Sequence, residues 1–121
     1  MDVRVKATDY ELTPEASAYL DGRIAAIEKL LGSDALLARC EVEVGRDAGG
    51  MRHSDHMWFA EFNVITPGNG MMRATNRAPS VNAAIDDAQA EVMRQIRREK
   101  RLHIRILRRS GAFAKRLMRL G

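Results

Sequence analysis

The sequence predicts an α+β domain in which a four-stranded sheet carries two helices on one face, in the order β-α-β-β-β-α, followed by a basic C-terminal tail. Apolar residues alternate with polar ones in four short segments, and recur at steps of three and four in two longer ones. A chain of 121 residues, 45% of them apolar and 30% charged, has the composition of one folded domain. We assign residues 1–102 to the domain and residues 103–121 to the tail.

The first strand and the first helix occupy the first 31 residues. Val3, Val5 and Ala7 alternate with polar residues, which predicts a strand with one buried face. A helix is predicted to begin after Thr13, because threonine caps free amide groups and the following Pro14 suits the first helical position. Its apolar stripe consists of Ala16, Leu20, Ile24, Ile27 and Leu31, and Gly32 can end the helix.

Three further strands are predicted to form a meander. Cys40, Val42 and Val44 alternate with charged residues, and the segment 57–65 places Phe62 and its alternate neighbours on one face. The turn sequence at 67–70 connects the latter strand to a fourth strand at 71–75. Residues 45–55 are glycine-rich and are predicted to form a mobile loop.

A second helix is predicted to begin after Ser80, which can cap it. Its buried stripe is Val81, Ala84, Ile85, Ala88, Val92 and Ile96. The apolar pattern loosens after Leu102, and Ser110-Gly111 interrupts it. We therefore expect the tail to be helical only in part, or only when it is bound.

Charge is divided unequally along the chain. Residues 1–93 hold 9 Lys/Arg against 15 Asp/Glu, whereas residues 94–121 hold 11 Lys/Arg and one acid, Glu99. Clustered cations gain free energy when they meet a polyanion, because counterions are released. The distribution favours a nucleic acid as the partner of the C-terminal quarter over a solvated helix face or a membrane surface.

Four segments carry a family pattern through their order and spacing. They are Glu11-Leu12-Thr13 with the helix through Arg23 to Glu28, the hairpin from Phe62 to Gly68 with Met72-Arg73-Ala74, Ala83 to Asp86, and the basic stretch from Arg94 to Arg101. Together they resemble the ribosome hibernation factors, the family that contains hibernation promoting factor and the protein Y type of translation inhibitor. The resemblance covers residues 1 to about 102.

The resemblance implies a fold similar to double-stranded RNA-binding domains and a site on the small ribosomal subunit near the decoding centre. There the chain would bind 16S rRNA as a monomer, occlude messenger and transfer RNA, and inhibit translation in stress or stationary phase in the cytoplasm. The mechanism is steric, so neither catalysis, a cofactor nor a small-molecule substrate is expected.

The resemblance and the charge together select candidate rRNA-binding residues. These are Arg23, Arg94, Arg97, Arg98, Lys100, Arg101, Lys6, Arg73 and Arg4. For Arg4 and Arg73, protection of a sheet edge explains a strand arginine equally well. The candidate contacts of the tail are Arg105, Arg108, Arg109, Lys115, Arg116 and Arg119.

The tail departs from the family pattern. Short family members end near Lys100, and long members add a linker and a second domain through which two ribosomes are paired. The sequence leaves open what residues 103–121 do and whether the chain self-associates. It also leaves open whether the chain would hold ribosomes idle singly or in pairs. One alternative is a tail that docks on anionic membrane, and another is a module that binds a transcription factor.

Catalytic and metal-binding interpretations are weak. His53, Asp55 and His56 with the distant Cys40 lack the ligand spacing of a zinc site. Cys40 is the only cysteine, which excludes an internal disulfide, and its position in the apolar phase of a strand indicates a buried core residue.

Two other sets of residues have the side-chain types of a functional site. Glu41, Glu43 and Glu61 are expected on the open face of the sheet, where pairing with arginine or lysine explains them as well as a substrate site does. Gly68-Asn69-Gly70 lacks the length of a phosphate loop. No signal peptide or membrane-spanning segment is expected.

Overall fold

The computed structural model describes the backbone of residues 1–47, 57–68 and 70–120, and their side chains except those of residues 103, 107 and 110–120. The elements follow the predicted order. They are β1 (Asp2–Thr8), α1 (Pro14–Leu31), a 3₁₀ helix (Gly32–Leu37), β2 (Arg39–Arg46), β3 (Trp58–Thr66), β4 (Gly70–Ala78) and α2 (Val81–Leu120).

The four strands form one mixed sheet in the order β1-β2-β3-β4. β1 runs parallel to β2, with Val3 beside Cys40, and the other two pairs are antiparallel. β2 continues through Gly45, which was predicted to begin the loop; a Cβ there would lie 2.5 Å from the carbonyl oxygen of Thr8. β4 is longer than the predicted 71–75, and most of the predicted loop, residues 48–55, lies outside the described residues.

Both helices pack on the same face of the sheet, as predicted. The α1 stripe Ala16, Leu20, Ile24, Ile27 and Leu31 is buried. From α2, the residues from Ala84 to Ile96 on the predicted stripe are buried too, whereas Val81 is half-buried. They meet alternate residues of β2, β3 and β4, such as Val42, Phe62 and Ala74. Burial of a side chain such as Phe62 contributes about 1.5–3 kcal/mol to stability.

Both predicted helix starts are confirmed by their hydrogen bonds. The amide of Ala16 donates to the Thr13 hydroxyl at 3.1 Å, and the amide of Ala83 donates to the Ser80 hydroxyl at 3.1 Å. Gly32 ends α1 with a positive φ of 62°, as its sequence position indicates. The 3₁₀ helix that follows was not predicted.

The prediction of a buried face on β1 is wrong. Val3 and Val5 lie on the helix side of the sheet, beside Cys40 and Val42, but are 39% and 43% exposed. α2 packs over β3 and β4, and α1 packs against α2, so the helices leave this edge strand uncovered. The alternation identified a strand correctly, but burial depends on where the helices lie.

The expectation of a partly helical tail also differs from the structure, because α2 continues to Leu120 as one α-helix. Residues 102–109 are arginine, leucine, isoleucine and histidine, with neither glycine nor proline, so intrinsic propensity supports the helix where packing does not. Leu102, Ile104 and Ile106 are exposed on it. Over the described residues, no helix has the length and apolar character needed to cross a membrane.

Candidate functional site

Four arginines form an exposed row on α2 within the folded domain. Arg94, Arg97, Arg98 and Arg101 follow one another at steps of three, one and three residues, on the side of the helix opposite buried Val92 and Ile96. Within the described ranges, none of the four takes part in an ion pair. The row is about 10 Å long, since a helix rises about 1.5 Å per residue. Its cations are therefore available to an external anion.

The same row continues beyond the domain. Arg105, Arg108 and Arg109 are exposed and lie on α2 in phase with Arg101. Lys115, Arg116 and Arg119 belong to the same helix, but their side chains are outside the described set. The structure thus brings the candidate tail residues and the end of the domain onto one helix.

Lys100 has a different position from its arginine neighbours. Its Nζ donates a hydrogen bond to the carbonyl oxygen of Leu30, in the last turn of α1. A cation at this position also interacts favourably with the negative end of the helix dipole. Lys100 therefore joins the two helices, and its contact with rRNA stays a prediction.

Arg23 is held between the helices. Its Nε lies 2.9 Å from a carboxylate oxygen of Asp86, and its guanidinium donates to the Tyr19 hydroxyl at 2.9 Å. The hydrogen bond that Arg23 donates to Tyr19 and the charge of Asp86 outweigh partial desolvation and raise the pKa of Arg23. The Tyr19 hydroxyl in turn donates to Asp86. Arg23 thus has a structural role, and its contact with rRNA stays a prediction.

The open face of the sheet carries Arg73 among polar partners. Arg73 lies 3.1 Å from Glu61, which also accepts hydrogen bonds from Asn63 and Thr75 at 3.1 Å each. Desolvation acts to raise the pKa of Glu61, but these hydrogen bonds and the charge of Arg73 outweigh it and lower the pKa. Cross-strand pairing thus accounts for Glu61.

The remaining strand candidates lie toward β1. Arg4 lies 3.5 Å from Asp2, and Lys6 is exposed beside Glu43 in the β1–β2 register. Glu43 accepts a hydrogen bond from the Thr8 hydroxyl at 2.6 Å. Glu41 pairs with Arg39 at 3.4 Å. Glu41, Glu43 and Glu61 line an open depression together with Arg4 and Lys6. Cations and anions are therefore mixed on this face.

Cys40 is a core residue, as predicted. It has no exposed surface, and burial, with a smaller contribution from the charge of Glu41, raises its pKa to about 12. A thiol in this state is a poor nucleophile and a poor metal ligand. Among the described residues no group of three acidic, histidine or cysteine side chains is placed to bind a metal, and His53, Asp55 and His56 lie outside them.

Two groups of contacts were missed by the sequence analysis. Gln95 of α2 accepts a hydrogen bond from the Arg73 amide at 3.0 Å and donates to the Arg73 carbonyl oxygen at 2.8 Å, which ties α2 to β4. At the opposite end of the sheet, Trp58 stacks edge-on against Tyr10 with ring centroids 4.9 Å apart, and Arg46 lies over its ring. Both depend on the three-dimensional packing of residues distant in sequence.

The fold and the site define a small α+β domain whose last helix presents a row of exposed cations, unpaired within the part of the chain that the structure describes, which is a surface suited to a polyanion. A family model described as "Sigma 54 modulation protein / S30EA ribosomal protein" matches residues 3–103. The chain therefore belongs to this family, which indicates a ribosome-associated modulation factor. Among curated proteins no match was found.

Two solved structures share the fold. The N-terminal domain of protein Y from Thermus thermophilus is 22% identical, with a TM-score of 0.64, and the match covers 81% of this chain and 98% of that one. A ribosomal subunit interface protein from Coxiella burnetii is 10% identical, with a TM-score of 0.64, over 83% of this chain and 98% of that one. At these identities the likeness bears on the fold alone.

Proposed function

We propose that this chain is a ribosome hibernation factor, which binds rRNA of the small subunit near the decoding centre and inhibits translation by occluding messenger and transfer RNA. The observation that carries the proposal is the row of four exposed, unpaired arginines from Arg94 to Arg101, in a chain of a ribosome-associated family. It would act in the cytoplasm, in stress or stationary phase, by binding and without chemistry.

The geometry of the row supports recognition of phosphate groups rather than of bases. The arginines are held on a helix whose opposite side is fixed in the core by Val92 and Ile96, so they are presented without a large loss of backbone entropy on binding. Guanidinium groups bind phosphate oxygens in a bidentate manner. Such contacts depend on RNA shape and are insensitive to sequence.

Several of the other candidate residues already have partners within the chain. Arg23 and Lys100 bridge the two helices, and Arg73 pairs with Glu61. Each would have to give up or share an intramolecular contact to bind phosphate. We therefore expect the largest loss of affinity from substitutions in the row Arg94 to Arg101, and smaller losses from Arg4, Lys6, Arg23 and Arg73.

The test is co-sedimentation of the chain with purified small subunits over a range of salt, comparing wild type with R97E/R98E/R101E. We expect a loss of affinity of about a thousandfold and a salt dependence whose slope falls by about 2–3, because about three phosphate contacts are removed. Addition of wild type to an in-vitro translation reaction should inhibit it, and the variant should not.

Net charge alone is controlled by a variant on another surface. The combined variant adds D21R, E28R and D34R to R97E/R98E/R101E. These three exposed acids lie outside α2, and their change to arginine returns the net charge to that of wild type. Binding should remain lost in this combined variant if the position of the row matters. Equal binding of wild type and R97E/R98E/R101E would refute the site, and failure of wild type to bind would refute the function.

A further inference from the structure

We propose that the part of α2 beyond the family match, residues 104–120, is a second RNA-binding element that continues the phosphate-binding row of the domain. The family match ends at residue 103, whereas α2 continues to Leu120. The inference deepens the proposed function, because the RNA in question is the ribosomal RNA that the domain is proposed to bind.

The arginines of the domain and those of the extension lie on the same side of α2. At 3.6 residues per turn, the seven exposed arginines at 94, 97, 98, 101, 105, 108 and 109 fall within an arc of roughly 120° of the helix. Three belong to residues 104–109 and four to the domain. The row passes the end of the domain without a change of side, so a single RNA backbone can contact both parts.

The extension also makes the row of arginines longer. From Arg94 to Arg109 the helix rises about 22 Å, against about 10 Å from Arg94 to Arg101. The extension therefore more than doubles the length over which phosphates can be contacted. The acids nearest to the row in sequence are Glu91 and Glu99, and Glu91 already accepts a hydrogen bond from Asn76.

The position of the domain relative to α2 favours RNA over a membrane surface as the partner of the extension. Ile106 lies eighteen residues after Ala88, which is about five turns, so the two residues point to the same side of α2. Ala88 is buried against the domain. A planar bilayer in contact with exposed Leu102 and Ile106 would therefore meet the folded domain, which projects from that same side. The arginines point away from the side of α2 that is buried in the domain, so RNA can reach them there. Ile104 lies beside Arg101 and Arg105 and offers a bilayer one apolar side chain on this side.

The experiment measures binding of the full chain to purified small subunits and to protein-free 16S rRNA as a function of salt. R105E/R108E is the test variant, and K29E/R46E is the matched control, because it changes the net charge equally at two exposed cations outside the row. R105K/R108K keeps the charge. Circular dichroism establishes that each variant retains its helix content.

We expect R105E/R108E to bind both RNA targets about tenfold or more weakly than wild type, with the salt slope reduced by about 2, while the control and the lysine variant bind nearly as wild type does. Equal binding by R105E/R108E and wild type to both targets would overturn the inference and leave the proposed function standing. Failure of wild type to bind subunits would overturn the proposed function, and the 16S rRNA measurements would then decide the inference alone.

Vesicles of phosphatidylcholine and phosphatidylserine form the remaining arm. Little binding to vesicles at the salt concentration where RNA is bound supports the inference. Vesicle binding that R105E/R108E abolishes, together with unchanged RNA binding by that variant, would assign the extension to a membrane and overturn it.

Discussion

Lys100 and Arg101 are adjacent cations with different surroundings, although the sequence presents them as one basic stretch. Lys100 bonds to the α1 carbonyl of Leu30, whereas Arg101 is exposed and, in the part of the chain that is described, unpaired. Charge alone therefore does not identify a binding residue. The direction in which each side chain leaves the helix separates a structural cation from an available one.

Replacement of Lys100 by methionine tests its structural role. K100M keeps the aliphatic stem but loses the donor to Leu30, so we expect the free energy of unfolding to fall by about 1 kcal/mol in urea titration. K29M, at an exposed lysine of α1, should leave stability nearly unchanged. A stability loss no greater for K100M than for K29M would contradict the assigned role.

Glu61 gives stability a dependence on pH. Its pKa in the folded chain is below the ordinary 4.5, so the charged form is favoured by folding. The contribution is full above the unfolded-state pKa and is lost as the pH falls through the folded-state pKa. At neutral pH we expect E61Q to be less stable than wild type by about 1 kcal/mol, and the difference to shrink as the pH falls below about 4.5.

Urea titrations of both chains across this pH range measure the effect. E28Q, at an exposed glutamate of α1, removes the same charge without these partners and is the control. A constant difference between E61Q and wild type at all pH values would show that the ionised carboxylate is not what stabilises the fold.

At the scale of elements, the two halves of α2 are helical for different reasons. From Val81 to Ile96 its apolar stripe is fixed by the core, and the sequence predicted that stripe because burial imposes the helical period. Beyond Ile96 the apolar residues whose side chains are described, Leu102, Ile104 and Ile106, are exposed, so the core does not constrain their spacing; the apolar pattern loosens there and misled the prediction. Propensity of arginine, leucine and lysine sustains the helix there.

The helix beyond Leu102 is expected to form without RNA. Circular dichroism of the full chain and of a chain ending at Leu102 tests this. We expect the shorter chain to have a weaker helical signal, by the amount that residues 103–120 contribute when they are helical. Helices held by propensity alone are marginal, so this part should melt at lower temperature than the domain. Equal total ellipticity of the two chains would show that the extension is not helical in the free protein.

β1 is the other element for which the sequence was an incomplete guide. Its alternation predicted a strand, which is confirmed, but the same pattern predicted burial, which is wrong. Alternation reports which residues share a face of a sheet, and it carries no information on how far the helices extend across that face. Contacts such as Gln95 with Arg73 were unpredictable for the same reason.

At the scale of the whole molecule, the acidic and basic parts of the sequence also occupy different parts of the fold. The acidic residues 1–93 build the sheet, α1 and the start of α2, and the basic residues follow on one helix. The fold class, the element order and both helix stripes could therefore be predicted from local patterns. Which cations are free could not, since Arg23 and Lys100 find partners 63 and 70 residues away.

The uncovered strand β1 bears on how the chain behaves at high concentration. An edge strand with apolar residues exposed on one face is a template on which other copies can add strands and aggregate. Arg4 and Lys6 flank Val5 and place a positive charge on each side of it. Two such edges brought together would set like charges side by side, which disfavours the addition of a second copy at this edge.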